Sequence, residues 1–105
     1  MYNKEAMDDL KKLLTKRFPN LIHQMILFGS RVENKEKEFS DYDILLILNT
    51  NYDWKLKRKI RDTVFDLILN YEILTDIKFI SKNELNSIVG TLPFIQNALK
   101  KGLVL

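Results

Sequence analysis

Asp41 and Asp43 stand two residues apart, at the threshold of the apolar run Tyr42–Leu48. In an extended strand, side chains at i and i+2 point to one face, so the two carboxylates project together while Tyr42 and Ile44 face the other way. Neighbouring carboxylates repel, and each is driven toward its protonated form unless a cation compensates. Hard oxygen donors, with no cysteine in the chain and no histidine nearby, suit Mg²⁺ or Mn²⁺. Taken alone, such a pair is more often structural, with Asp41 capping a strand end and Asp43 bound to a lysine. Other carboxylate motifs fit badly. An EF-hand loop needs a glycine and a further oxygen ligand where Ile44, Leu45 and Leu46 follow. A sugar-nucleotide domain with Asp-x-Asp needs a longer chain than 105 residues.

Upstream lies Gly29-Ser30, separated from Asp41 by the ten residues Arg31 to Ser40. Gly29 has no side chain to keep a ligand from the backbone, and Ser30 offers a hydroxyl. A helix opening there would present free N–H groups to a phosphate. A phosphate seat and a metal-binding pair on neighbouring strands together suit a nucleoside triphosphate with its ions. Arg31 has two open roles: a phosphate contact, or an ion pair with Glu33 or a loop acid.

The elements that must position these groups are legible from periodicity. Met7, Leu10, Leu13 and Leu14 recur at helical spacing between Lys4 and Arg17, with Asn3 as N-cap and Phe18-Pro19 as the stop. Leu21–Phe28 reads as a strand ended by Gly29, Ser30–Glu33 as a short helix, and Asn34–Phe39 as a charged, solvated loop. Tyr42–Leu48 is nearly continuously apolar, the pattern of a strand covered on both faces. Asn49–Asp53 forms a turn whose Asp53 caps a long helix, with Leu56, Ile60, Val64, Leu67 and Tyr71 on one stripe. Ile73–Ile80 is a third strand, Ser81 to Glu84 a capping box, and a last helix runs from Pro93 to Lys101 before Gly102. One α/β (α+β) domain over residues 1–105, with a small mixed sheet packed by helices, is the expected architecture.

The segment "LFGSRVENKEKEFSDYDILLIL" resembles the signature of the polymerase-beta-type nucleotidyltransferases: hydrophobic-Gly-Ser, a gap, then Asp-hydrophobic-Asp-hydrophobic. The resemblance implies a third carboxylate on a later strand, and Asp76 in "ILTDIKFIS" takes that place. The length and the tail "PFIQNALKKGLVL" are similar to the minimal nucleotidyltransferases, many of them encoded beside a HEPN-domain partner. In such pairs the HEPN protein is an RNase toxin and the nucleotidyltransferase its antitoxin; some transfer AMP from ATP to a tyrosine of the toxin. The resemblance implies two Mg²⁺ ions held by Asp41, Asp43 and Asp76, and a nucleotide seated on Gly29, Ser30 and Arg31. It implies the polymerase-beta-like fold and a protein or RNA hydroxyl as acceptor. Lys78 shares a strand face with Asp76 and either neutralises it or meets a phosphate.

Rival readings are a nucleotide-binding antitoxin that blocks its partner by complex formation alone, and a small-molecule tailoring enzyme. The latter usually carries an added helical domain, and this chain has no room for one, so the acceptor surface comes from a partner or from self-association. Composition is that of an ordinary globular protein, 46% hydrophobic and 30% charged, with a net charge of +3. The polar N-terminus and the lack of a membrane-length apolar run make the cytoplasm the expected compartment. Lys55, Lys57, Arg58, Lys59 and Arg61 form a basic cluster, read as a wet helix face or a partner or RNA contact. His23 is read as a surface or strand-edge residue. Trp54 and Tyr71 are expected to pack the long helix onto the sheet, and either ring could stack on a base.

Overall fold

The computed structural model describes residues 2–33 and 41–105; the stretch Asn34–Phe39, expected as a solvated loop, lies outside them. In chain order the elements are α1 (Lys4–Arg17), β1 (Ile22–Phe28), α2 (Ser30–Glu33), β2 (Tyr42–Leu48), α3 (Trp54–Ile68), β3 (Thr75–Ser81), α4 (Lys82–Leu85), α5 (Pro93–Lys101) and β4 (Leu103–Val104). Two short 3₁₀ turns, Leu69–Tyr71 and Ile88–Thr91, complete the set among the described residues.

The strands form one mixed sheet in the order β3-β2-β1-β4. Strand β1 runs antiparallel to both of its neighbours, whereas β2 and β3 are parallel. A parallel pair cannot be closed by a tight turn, and α3 supplies the crossover between these two strands. Because β2 and β3 start at the same end of the sheet, their first residues lie side by side there, next to the last residue of β1.

Strand β2 is central, and both of its faces are covered. Tyr42, Ile44, Leu46 and Leu48 belong to the larger core with Met7, Leu10 and Leu14 of α1 and Ile60, Val64 and Ile68 of α3. Leu45 and Ile47 belong to a second, smaller core with Ile26, Phe28, Ile80 and the α5 residues Ile95 and Ala98. Ile44 to Leu48 are wholly inaccessible to solvent. Removing each such side chain from water favours the fold by about 1.5–3 kcal/mol, so this strand anchors whatever is attached to its end.

Side chains set the helix boundaries. The Asn3 carboxamide accepts from the Ala6 N–H, the Asp53 carboxylate accepts from the Leu56 N–H, and Ser81 with Glu84 forms a complete capping box. The long helix does not stay α-helical to Tyr71. It tightens into the Leu69–Tyr71 turn, and Glu72 follows in a left-handed conformation with φ 54°. Tyr71 still fastens this end: its hydroxyl donates to the Asp9 carboxylate of α1, which pushes its pKa up to about 12.

Trp54 corrects the sequence expectation, for it is 66% exposed. It precedes Leu56 by two residues, so its side chain leaves the helix about 200° around from the buried stripe. Its ring meets the Lys55 ammonium instead, at 5.8 Å. It also sits at the far end of β2 from the aspartates, about 20 Å along the strand, which removes it as a base-stacking group for that site.

Candidate functional site

Register decides where the acids go. Asp43 pairs with Phe28 on β1 and with Asp76 on β3, so the two aspartates occupy adjacent positions on neighbouring parallel strands. Their shared face is that of Leu45, Ile47 and Ile80, the face under α5. Helix α5 covers the lower part of this face, and the aspartates stand beyond it. Asp41, exposed, precedes β2 on the same alternation. The next N–H, that of Tyr42, donates to the Leu74 carbonyl at 2.8 Å, fixing the starts of β2 and β3 to each other.

The cluster is electrostatically frustrated. Asp43 holds its proton more tightly than an ordinary aspartate, first because it is partly buried, then because Asp76 and Asp41 stand near it. Lys78 works in the opposite direction. Its ammonium lies 3.6 Å from the Asp76 carboxylate, the first of the two roles its strand position left open. A divalent cation among these oxygens would relieve the same repulsion.

Gly29 has a sharper role than leaving the backbone open to a ligand. Its φ is +79°, and a Cβ built on it would lie 2.3 Å from Oδ2 of Asp43. The glycine thus serves two needs at once. It permits the left-handed turn from β1 into α2, and it leaves the space that the Asp43 carboxylate occupies. Ser30 follows as the first residue of α2, and the Val32 N–H closes the turn onto the Gly29 carbonyl at 3.2 Å.

Arg31 is placed differently from the acids. Its guanidinium sits 4.6 Å from the centroid of the Tyr42 ring. Tyr42 points into the α1/α3 core, where its hydroxyl accepts from the Asn3 N–H. The structure therefore brings Gly29, Asp41, Asp43, Asp76 and Lys78 together and sets Arg31 against the opposite face of β2. His23 is exposed, as its position suggested.

The donor set fits a hard cation in type and placement: carboxylates only, on one face, two of them in register. Among the described residues, however, no three acidic or histidine side chains are gathered closely enough to ligate one ion together.

The basic cluster divides. Lys57 lies over the rings of Tyr52 and Phe79, at 5.1 and 5.8 Å. Arg61 lies 5.0 Å over Phe79 and donates to the Ile77 carbonyl, while the Tyr52 hydroxyl donates to the Phe79 carbonyl. These groups cover the outward-facing carbonyls of β3, the edge strand, and blunt it against unwanted pairing. Lys55, Arg58 and Lys59 remain exposed. Phe94, not singled out by the sequence, lies 6.0 Å from the Lys78 ammonium and flanks the same face. Its signal was faint: one aromatic at the second position of a helix that otherwise reads as packing.

Among the described residues no helix is long and apolar enough to cross a membrane. No curated protein sequence matches this chain. Among solved structures, spectinomycin adenyltransferase AAD(9) from Enterococcus faecialis, solved with ATP and spectinomycin, is 24% identical with a TM-score of 0.63. The match covers 82% of this chain but only 37% of the adenyltransferase. A toxin-antitoxin structure with AMP-PNP is 17% identical over 98% of this chain and 72% of that one, with a TM-score of 0.62. A tri-AMPylated Shewanella oneidensis HEPN toxin in complex with MNT antitoxin matches at 17% identity, 96% and 69% coverage and a TM-score of 0.57. At these identities the likeness is one of fold. The family model for polymerase beta nucleotidyltransferases matches residues 8–105, spanning all four strands and the three aspartates, and this chain belongs to that family.

Proposed function

We propose that this chain is a Mg²⁺-dependent nucleotidyltransferase that moves AMP from ATP to a protein or RNA hydroxyl, as the antitoxin of a HEPN-type RNase toxin. The observation that carries the proposal is the pairing of Asp43 with Asp76 in register, with Asp41 beside them and Gly29 cleared for the Asp43 carboxylate. The ATP and AMP-PNP complexes of similar folds support the nucleotide, and the AMPylated HEPN complex supports the partner and the transferred group.

Asp41, Asp43 and Asp76 would hold the ions, which when bound supply charge neutralisation at the attacking and leaving oxygens. Gly29 and Ser30 seat the phosphates on the turn into α2. Asp76 faces the acceptor and takes its proton, and Lys78, 3.6 Å away, holds that carboxylate in place. The acceptor oxygen forms a new bond to the α-phosphorus as the bond to pyrophosphate breaks, and pyrophosphate leaves with that electron pair.

A second reading, an antitoxin that binds nucleotide without transferring it, is favoured by one observation: the acids are not gathered around a common point among the described residues. Titration of AMP-PNP into the protein separates the possibilities from a non-binding fold. Saturable binding that needs Mg²⁺ and disappears in the Asp41→Asn/Asp43→Asn double variant is expected. Binding that ignores both Mg²⁺ and the double substitution would remove the proposed site.

A further inference from the structure

Gly29-Ser30 and the three aspartates account for the phosphates of a nucleotide and leave its base without a partner. A base needs a flat apolar surface, and an aromatic side chain supplies one that stacks with any base. Tyr2, Phe18, Tyr42, Tyr52, Tyr71 and Phe79 belong to the larger core, behind the sheet from the acids. Trp54 and Phe65 stand on α3, which covers that same opposite face. Phe28 lies on the acid face but is buried within the smaller core. Among the described residues this leaves Phe94, 37% exposed, as the accessible ring on the face of the acids.

We infer that Phe94 is the platform on which the nucleobase stacks, so that the nucleotide lies along α5 with its base toward β3 and its phosphates toward the turn after β1. The inference rests on the nucleotide-binding reading of the aspartate site and adds the part of this chain that holds the base.

Position is the first argument. The Lys78 ammonium lies 3.6 Å from the Asp76 carboxylate and 6.0 Å from the centre of the Phe94 ring. Two short steps through one ammonium thus join acid and ring, a separation that a ribose with its α-phosphate spans. Helix α5 sets which way the ring faces. Ile95 and Ala98 pack the helix down onto the sheet. Gln96 donates to the Gly90 carbonyl, in the turn that follows β3 and α4, beyond the end of the sheet remote from the acids. Phe94 precedes Gln96 by two residues, about 200° around the helix, and so borders the acids.

The order of groups along that border is the second argument. Lys101, seven residues on, returns to the side of the helix that carries Phe94. Phe94 stands at the β3 end of α5, beside Lys78, and Lys101 at the β1 end, where Gly102 lies against Ile26 and Leu27. Gly29-Ser30 follows β1 directly. A ring beside β3, carboxylates at the starts of β2 and β3, and a cation toward the glycine turn match base, α-phosphate and distal phosphates in turn. Packing gives the third argument: neither hydrophobic core includes Phe94, so the fold leaves the ring available to a ligand.

The test titrates AMP-PNP, UTP and inorganic tripolyphosphate, each with Mg²⁺, into the full chain and into its Phe94→Leu, Phe94→Trp and Ile88→Ser variants. Leucine keeps an apolar side chain and removes the ring, while Ile88, 83% exposed, lies outside the site. Phe94→Leu should bind AMP-PNP about tenfold or more weakly, UTP with a smaller loss, and tripolyphosphate within about twofold of wild type. Phe94→Trp should match or exceed wild type for AMP-PNP, and Ile88→Ser should match it throughout. A wild type that binds tripolyphosphate as tightly as AMP-PNP would overturn the inference. So would a Phe94→Leu variant that keeps its AMP-PNP affinity, or one that loses tripolyphosphate to the same degree. A wild type that binds none of the three probes instead overturns the nucleotide reading beneath it.

Discussion

Asp43→Asn is expected to abolish nucleotidyl transfer, by on the order of a thousandfold or more, and yet to leave the protein as stable as before or more so. The two effects have one cause. In the metal-free protein Asp43 is partly buried and faces Asp76 and Asp41, so its folded-state pKa is raised. A raised carboxylate pKa means that the folded chain binds a proton more readily than the unfolded chain. Stability therefore falls as pH rises through the window from the unfolded value to the raised folded one, and the penalty is complete above it. Asparagine keeps the shape and removes the charge, and with it the penalty. Metal-free thermal unfolding at neutral pH should show an unchanged or higher midpoint, and lowering the pH should stabilise wild type relative to the variant. Mg²⁺ with AMP-PNP should raise the wild-type midpoint and leave that of Asp43→Asn unmoved. A variant that unfolds early would mean that Asp43 holds the sheet together, contrary to its proposed role.

Gly29→Ala should injure function more than fold. The left-handed turn at φ +79° costs a non-glycine residue about 1–2 kcal/mol. The new Cβ would also fall 2.3 Å from Oδ2 of Asp43, and only 3.2 Å from its Cγ. The tip of an aspartate can rotate away at little cost to stability. A ligating carboxylate displaced by about an ångström, however, costs on the order of a hundredfold in rate. Urea unfolding should therefore report a loss of about 1–2 kcal/mol, and transfer assays a loss near a hundredfold. In an Asp43→Ala background the stability cost should shrink toward that of the backbone alone. Full transfer by Gly29→Ala would show that the carboxylate has another working position.

Much of this arrangement was legible before any coordinates. The i, i+2 spacing placed Asp41 and Asp43 on one face, the unbroken apolar run of β2 announced a strand buried on both sides, and Asn3, Asp53 and Ser81 marked real helix starts. Asp76 was found by resemblance, since nothing in the spacing between residues 43 and 76 states that their strands pair parallel and in register. Pairing is a tertiary choice, made here by α3 packing across the sheet. Gly29 reads in the sequence as a backbone left open to a ligand; that an Asp43 oxygen also fills the space beside it is a contact formed between strands, on which the sequence is silent.

Other features had no periodic signal to give. Strand β4 has two residues, too few to show an alternation. The basic cluster reads as uniform in sequence, yet Lys57 and Arg61 turn to the β3 edge while Lys55, Arg58 and Lys59 stay in water. Trp54 looked like core by composition and lies outside because its angular position, not its hydrophobicity, sets what it touches.

The most direct measurement mixes the purified chain with Mg²⁺, ATP and the protein encoded by the neighbouring gene, and reads the intact mass of every protein present. The Asp41→Asn/Asp43→Asn double variant runs alongside. Addition of AMP to the neighbour by wild type, with none by the double variant, is the predicted result. A stable complex whose partner gains no nucleotide mass, or a gain that the double variant reproduces, would contradict transfer by these aspartates.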